Sequence, residues 1–214
     1  ACLSYIVVLQ FSIGLSASEN IERPNAYVAV RVTDGKISNQ VNVIHRKLMD
    51  ADIHFLPYLE FPNKLHLTID VYNINETNID RAHTAMSSLR RKLCKFLPSR
   101  FQFAGIDRFD EDVLYGNLTN TSRSAMAEIQ SQVKSTFEQN GIKSMNQYAY
   151  HPHMTIVEVA SFEKKLQKII STTKLSDHFL AGSSYVESVF LCRMHVEVRR
   201  GFCSAIHRVR VESC

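Results

Sequence analysis

The sequence predicts an α+β protein whose two similar lobes face each other across a central cleft. Segments of strand and helix character follow in the approximate order β-α-β-α-β-β-α-β-α-β-β, which is not the regular series of a parallel sheet. Two of the strands carry a His-x-Thr triplet, and each of them lies next to a long helix. This coarse duplication predicts two related lobes within a single domain that spans residues 25–214.

The composition is typical of a folded soluble chain. The protein has 214 residues, of which 45% are hydrophobic and 21% charged, with a formal net charge of +4. These values exclude a disordered tail, a collagen-like fibre and a polytopic membrane protein. The weak positive charge is compatible with phosphate-bearing ligands, but the dense basic blocks of a duplex-DNA-binding protein are missing. No carboxylate cluster stands out as a metal site, and we expect no cofactor.

The first half of the chain alternates between strand and helix patterns. A run rich in β-branched residues predicts a strand over residues 27–33, and Asp34-Gly35 predicts a turn. Apolar residues at helical spacing predict helices over residues 38–50 and 78–96. Between these helices, residues 65–72 alternate between apolar and polar side chains, which predicts a second strand.

The second half predicts the remaining elements. Strands are expected over residues 101–107 and 113–118, joined by an acidic turn. A helix capped by Thr121 or Ser122 is expected to run to about residue 140, with Gly141 just past its end. Residues 153–159 predict a strand and residues 162–170 a short helix. A hairpin of residues 184–199 and 202–211, turning near Arg200-Gly201, completes the prediction.

The N-terminal segment has the pattern of a secretory leader. Residues 3–15 are largely apolar and uncharged, and small residues follow them. This apolar segment is too short to span a bilayer, which needs roughly 20 helical residues. The order predicts a signal peptide over residues 1–18, without the usual basic start. The alternative is a buried N-terminal strand or helix. A cleaved leader implies a secreted or luminal protein with no integral membrane span; otherwise a cytoplasmic or nuclear location is expected.

Sequons and cysteines also bear on the compartment. Three Asn-x-Ser/Thr sequons begin at Asn75, Asn117 and Asn120, and they carry glycans only in an exported chain. The five cysteines lack zinc-site spacing. Cys192 and Cys203 flank the predicted hairpin and are the most plausible disulfide pair. The alternative is two buried reduced thiols.

The chemistry concentrates in the two His-x-Thr strands. Residues i and i+2 of a strand share one face, so His66 projects with Thr68, and His153 with Thr155. The intervening residues are apolar and need a core beneath them. The two polar faces are therefore predicted to look into a cleft.

Two histidines and two threonines suit a single phosphodiester. Imidazole is neutral or protonated near pH 7, so one ring can take a proton while the other gives one. Threonine hydroxyls can donate to non-bridging phosphate oxygens and stabilise the developing charge. Two alternatives stay open: either histidine is a structural one, or His151, close to His153, is the participant.

At these residues the chain resembles the 2H phosphoesterase superfamily, named for its two His-x-Thr/Ser motifs. The most similar branch is the one found in kinase-anchoring proteins. The resemblance runs from about residue 25 to 211 and includes a proline before the second motif histidine. The matching segments are residues 27–30, 65–69, 103–109, 113–117, 137–142, 150–156 and 189–194.

The resemblance implies a bilobal 2H phosphoesterase (LigT-like) fold with two antiparallel-rich sheets flanked by helices and a central cleft. It implies a metal-independent phosphodiesterase acting on 2′,5′-linked oligonucleotides or on 2′,3′-cyclic phosphate ends of RNA or nucleotides. We expect a monomer. His66 and His153 are the implied catalytic residues, and Thr68 and Thr155 the implied substrate-binding residues. Base-stacking aromatics are common in such clefts, where Tyr27 or Tyr150 is a candidate, although both also fit as ordinary strand aromatics. The alternative is a non-catalytic module that binds nucleotides or a protein through the same cleft.

Overall fold

The computed structural model describes residues 23–172, 180–196, 202–212 and 214. The predicted signal peptide and the predicted turn at Arg200-Gly201 lie outside these residues. The strands are β1 Ala26–Arg31, β2 His66–Tyr72, β3 Ser99–Phe109, β4 Val113–Leu118, β5 His153–Glu158, β6 Ala181–Val186, β7 Ser188–Arg193 and β8 Ser204–Arg210. The helices are α1 Gly35–Ala51, α2 Ile79–Lys92, α3 Asn120–Gln139 and α4 Lys164–Thr172.

The described strands form two four-stranded antiparallel sheets. Sheet A has the order β2-β1-β7-β8 and sheet B the order β5-β4-β3-β6. Each His-x-Thr strand is thus an edge strand, and β2 and β5 contact each other where the sheets meet. The two antiparallel sheets with flanking helices confirm the predicted fold class.

The helices interlock the two sheets. Helix α1 connects two strands of sheet A but contacts β6 of sheet B, and α3 connects two strands of sheet B but contacts β2 of sheet A. The buried face of α1 is formed by Ile37, Val41, Ile44 and Leu48, whose spacing of three or four residues makes one apolar stripe. Apolar residues of both sheets join this stripe in one continuous core, which fixes the strands that carry the motifs.

The predicted strand over residues 184–199 is wrong in one respect: it contains two strands that belong to different sheets. Val186 pairs with Ser99 in sheet B, whereas Ser188 pairs with Arg210 in sheet A. The chain therefore crosses from one sheet to the other at Glu187. Strands β7 and β8 then pair antiparallel, as the predicted hairpin requires.

Helix boundaries also differ from the prediction. Thr119, rather than Thr121 or Ser122, caps α3, because its side chain accepts a hydrogen bond from the Ser122 amide. Gly141 follows the helix with a φ of 73°, a left-handed conformation that glycine adopts at low cost. Short 3-10 turns over Ile53–Tyr58 and Pro62–Lys64 add to the predicted elements.

Two disulfide bonds are present among the described residues. Cys192 pairs with Cys203, the pair that the sequence favours, and Cys94 pairs with Cys214. The first links β7 to the segment just before β8, and the second links the segment after α2 to Cys214. Among the residues described, every helix is too short or too polar to cross a bilayer.

Candidate active site

Strands β2 and β5 show the same pattern of side-chain exposure at their motifs. His66 and Thr68 are half-buried, as are His153 and Thr155, while the residue between each pair is fully buried. The predicted His/Thr faces therefore exist. Because β2 and β5 are the contacting edges of the two sheets, they bring both motifs to one place.

A β-bulge follows each threonine. The register with the neighbouring strand passes from Thr68 to Asp70 and omits Ile69, and in β5 it passes from Thr155 to Val157 and omits Ile156. A bulge adds a residue on one strand and bends it. Two consecutive residues are buried at each bulge, so strict alternation ends directly after the threonine in both motifs.

The backbone orients both imidazoles in the same way. Nδ1 of His66 lies 2.8 Å from the carbonyl oxygen of Lys64, and Nδ1 of His153 lies 2.8 Å from that of His151. A carbonyl oxygen only accepts hydrogen bonds, so Nδ1 carries a proton in each ring. Nε2 is then the nitrogen that is unprotonated in the neutral ring and that gains or loses the proton.

Burial lowers the pKa of both histidines. For His66 the hydrogen bond to Lys64 opposes this effect, and the charge of His153 lowers the pKa further, so the two rings influence each other electrostatically. For His153 burial again dominates, the carbonyl of His151 opposes it, and the charge of His151 adds to it. Both groups therefore favour the neutral form at pH 7 more than free histidine does.

Two aromatic rings flank each imidazole. Tyr27 and Phe202 lie with their ring centroids 5.4 Å from that of His66. Phe109 and Tyr115 lie at 4.9 and 5.4 Å from His153. Aromatic rings at these distances contribute to the burial that lowers the pKa of both imidazoles.

Hydrogen bonds join each motif strand to a segment that precedes the other motif strand. The Tyr150 hydroxyl donates to the Thr68 carbonyl at 3.1 Å, so Tyr150 has a structural partner in the first motif. The Glu60 amide donates to the Ile156 carbonyl at 2.9 Å, next to the second bulge. The segment before β5 therefore holds β2, and the segment before β2 holds β5.

His151 belongs to a separate small network. Its Nε2 lies 3.2 Å from the Tyr115 hydroxyl, and Asp107 is the cross-strand neighbour of Tyr115. Burial and the charge of Arg123 lower the pKa of His151. The contribution of His151 to the motif is its backbone carbonyl, which holds His153.

Glu60 is an acidic group near the cleft that the sequence did not single out. Burial raises its pKa to about 7, opposed by Lys64 and reinforced by Glu158. Burial of Tyr27 raises the pKa of its hydroxyl to about 12, and the negative charge of Glu60 adds to this effect. Glu60 therefore changes its charge near neutral pH close to the first motif.

Two further polar residues next to the motif histidines were not predicted from the sequence. Arg31 lies opposite His66, and Asn117 opposite His153, as cross-strand neighbours. Arg31 follows Tyr27 by four residues on one strand, and this even spacing was a signal that could have identified it. Within the described ranges, no group of three or more His, Cys, Asp or Glu side chains is placed to hold a metal ion.

The comparisons with known proteins agree with this geometry. The family described as the AKAP7 2′5′ RNA ligase-like domain matches residues 24–211. An uncharacterised Caenorhabditis elegans protein, C35A5.6, is 22% identical over 171 residues, 78% of this chain and 71% of its own length.

Two solved structures show the same fold. LigT of E. coli, crystallised with 3′-AMP, superposes with a TM-score of 0.58 at 14% identity, over 89% of this chain and 99% of its own. The PDE domain of MHV ns2 superposes with a TM-score of 0.56 at 11% identity, over 80% of this chain and 99% of its own. Together with the family match, these likenesses support phosphodiesterase-type activity in general. The chain belongs to the AKAP7 2′5′ RNA ligase-like domain family, within the 2H phosphoesterase superfamily.

Proposed function

We propose that this protein is a metal-independent phosphodiesterase acting on 2′,5′-linked oligonucleotides or on 2′,3′-cyclic phosphate ends of RNA and nucleotides, as a monomer. The observation that carries the proposal is the matched pair of imidazoles: His66 and His153 are held by equivalent backbone hydrogen bonds on contacting strands. Each has Nε2 as its titrating nitrogen. One neutral and one protonated ring form an acid–base pair.

The two histidines serve either direction of the chemistry. When a ribose hydroxyl attacks, Nε2 of one ring accepts the hydroxyl proton as the new O–P bond forms. Nε2 of the other ring protonates the leaving oxygen as its bond to phosphorus breaks. In hydrolysis of a cyclic phosphate, water is the nucleophile and the two rings exchange roles by microscopic reversibility.

The threonine hydroxyls complete the site. Thr68 and Thr155 lie on the same strand faces as the histidines, so their hydroxyls are positioned to donate to the non-bridging oxygens. These oxygens gain negative charge in the transition state, and preformed donors stabilise that charge more than they stabilise the substrate.

The relatives support a nucleotide substrate. LigT has been crystallised with 3′-AMP, ATP and NADP+, and the MHV ns2 domain is named a PDE domain. Nucleotides carry the phosphate and the ribose hydroxyls that the proposed chemistry needs.

A substrate panel tests the proposal. Purified protein is incubated in EDTA with 2′,5′-triadenylate and with 2′,3′-cyclic AMP, and products are separated by chromatography. The proposal expects turnover of at least one substrate, and loss of that turnover in His66→Ala and His153→Ala purified identically. Binding without turnover would favour the non-catalytic module instead. Equal turnover in both variants would indicate a contaminating nuclease.

We also propose that the protein works in a secretory or extracellular compartment. Two disulfides support this, because such bonds persist in oxidising compartments. The expected leader over residues 1–18 supports it as well. Among the sequons, Asn75 and Asn120 are exposed, whereas Asn117 accepts a hydrogen bond from Arg123 beside His153.

Expression in mammalian cells tests the compartment. We expect the protein in the medium, with glycans at Asn75 or Asn120, none at Asn117, and no free thiols at the four paired cysteines by mass spectrometry. Retention of an unglycosylated, reduced chain in the cytosol would contradict the proposal.

A further inference from the structure

Two arginines lie next to the motif strands, one near each motif histidine. Arg31 of β1 is the cross-strand neighbour of His66, so both side chains project from the same face of sheet A. Arg123 lies in the first turn of α3 and donates from Nη2 to Asn117 Oδ1 at 2.8 Å. Asn117 is in turn the cross-strand neighbour of His153.

Both guanidinium groups keep unused donors. The Nε atoms of Arg31 and Arg123 are buried, and the described part of the chain offers neither an acceptor. Neither side chain forms an ion pair with a carboxylate of the described residues. Arg31 donates one long hydrogen bond, from Nη2 to the Asn63 carbonyl at 3.5 Å. A guanidinium group without a carboxylate partner keeps its positive charge uncompensated, so an anionic acceptor from outside the chain would stabilise both groups.

The neighbouring carboxylates have other partners. Oδ1 of Asp107 accepts a hydrogen bond from the Arg108 amide at 2.9 Å, and the charge of Lys64 acts on Glu60. The two arginines are therefore available for an anionic ligand. Their planar fork of N–H donors matches the oxygens of a phosphate group.

We propose that Arg31 and Arg123 bind the phosphates on either side of the scissile phosphodiester, so that the protein selects oligonucleotides over mononucleotides. The inference rests on the proposed function, since it takes the two motifs as the position of the scissile phosphate. Arg31 on β1 lies next to the first motif, and Arg123 on α3 is linked through Asn117 to the second. The preferred substrate then carries one phosphate for the histidines and threonines and one for each arginine.

Substrates that differ in phosphate number separate this arrangement from simple charge attraction. 2′,3′-Cyclic AMP fills the motif position alone. 2′,5′-Triadenylate with a free 5′ end has one flanking phosphate when either linkage is in the motif position. The 5′-phosphorylated triadenylate has two flanking phosphates when its first linkage is in the motif position.

Binding is measured by competition with a fluorescent 5′-phosphorylated 2′,5′-triadenylate, followed by anisotropy in a His66→Asn background that spares the probe from cleavage. The test variants are Arg31→Gln and Arg123→Gln, and the control is Arg210→Gln, on the far edge strand of sheet A in an ion pair with Glu187. We expect each test variant to bind the 5′-phosphorylated trimer about tenfold more weakly. The slope of log affinity against log salt should become shallower by about 0.7 for each phosphate that the variant no longer neutralises.

The outcomes distinguish this inference from the proposed function. Selective weakening of binding to the 5′-phosphorylated trimer supports the inference, even where the wild-type protein turns over nothing and the proposed function fails. Equal weakening for cyclic AMP and for both trimers, unchanged affinity in the two variants, or the same weakening in Arg210→Gln would overturn it. Absence of oligonucleotide binding would overturn it as well.

Discussion

Nδ1 of His66 and Nδ1 of His153 each donate a 2.8 Å hydrogen bond to the carbonyl oxygen of the residue two positions earlier in the chain. The two rings are thus oriented by the backbone of their own strands, and their tautomer does not depend on a neighbouring side chain. The matching bulges at Ile69 and Ile156 extend the equivalence beyond the rings. The paired motif is therefore a duplicated piece of backbone geometry.

His151→Ala should keep the orientation of His153, because the hydrogen bond uses the backbone carbonyl. We expect kcat to fall by less than about tenfold, well below the loss of about 10²–10⁴ for a proton-transfer group. The charge of His151 lowers the pKa of His153, so its removal should move the corresponding limb of the pH–rate profile to higher pH. A loss as large as that of His153→Ala would instead make His151 the participant.

The dependence of kcat/KM on pH should be bell-shaped, with its maximum on the acid side of 6.5. One ring must be neutral and the other protonated, and burial lowers both pKa values below the ordinary 6.5. As pH rises, the ring that acts as the acid loses its proton and the rate falls. The measurement uses 2′,3′-cyclic AMP followed by the release of a phosphomonoester, and a rate that keeps rising above pH 8 would contradict the pairing.

Thr68→Val and Thr155→Val remove a hydroxyl while keeping the shape of the side chain. Loss of one donor to the developing charge should lower kcat by about 10–10³-fold and change KM less. Thr84→Val, on the exposed face of α2, provides the matched control, because the Thr84 hydroxyl donates to the Asp80 carbonyl within its own helix. Activity within twofold of wild type in both motif variants would remove the threonines from the site.

Removing the two disulfides should cost different amounts of stability. The Cys192–Cys203 bond closes a loop with a sequence separation of 11 residues, and Cys94–Cys214 one of 120 residues. From the loss of entropy in the unfolded chain, we expect the bonds to add about 3 and about 5 kcal/mol, respectively, to the free energy of unfolding. Urea unfolding of the double Cys→Ala variants gives the free energies. An unchanged unfolding free energy in both would indicate that the thiols are not paired.

The alternation of side chains along each strand was enough to predict the faces that carry the motifs. The bulges, the crossing between sheets and the position of Arg123 depend on contacts with other parts of the chain, which the sequence pattern does not show. The pairing of His66 with Thr68 follows from strand alternation, which needs no knowledge of neighbouring strands. The bulge at Ile69, which carries Asp70 to the buried side, depends on the register with β1. The crossing between sheets at Glu187 has no glycine or proline to mark it. Arg123 lies on a helix and contacts Asn117 beside the second motif, so no strand periodicity could place it there.

A comparison of single and double histidine variants tests the central claim, that His66 and His153 act as one acid–base pair on one phosphodiester. Turnover is measured in EDTA for wild type, His66→Ala, His153→Ala and the double variant. His54→Gln serves as the control, since the His54 side chain is 79% exposed. We predict losses of about 10²–10⁴-fold for each single variant, and a double variant that is no more than about tenfold worse, because groups that act as a unit are not additive. Losses that multiply, or a single variant that keeps wild-type turnover, would contradict the account.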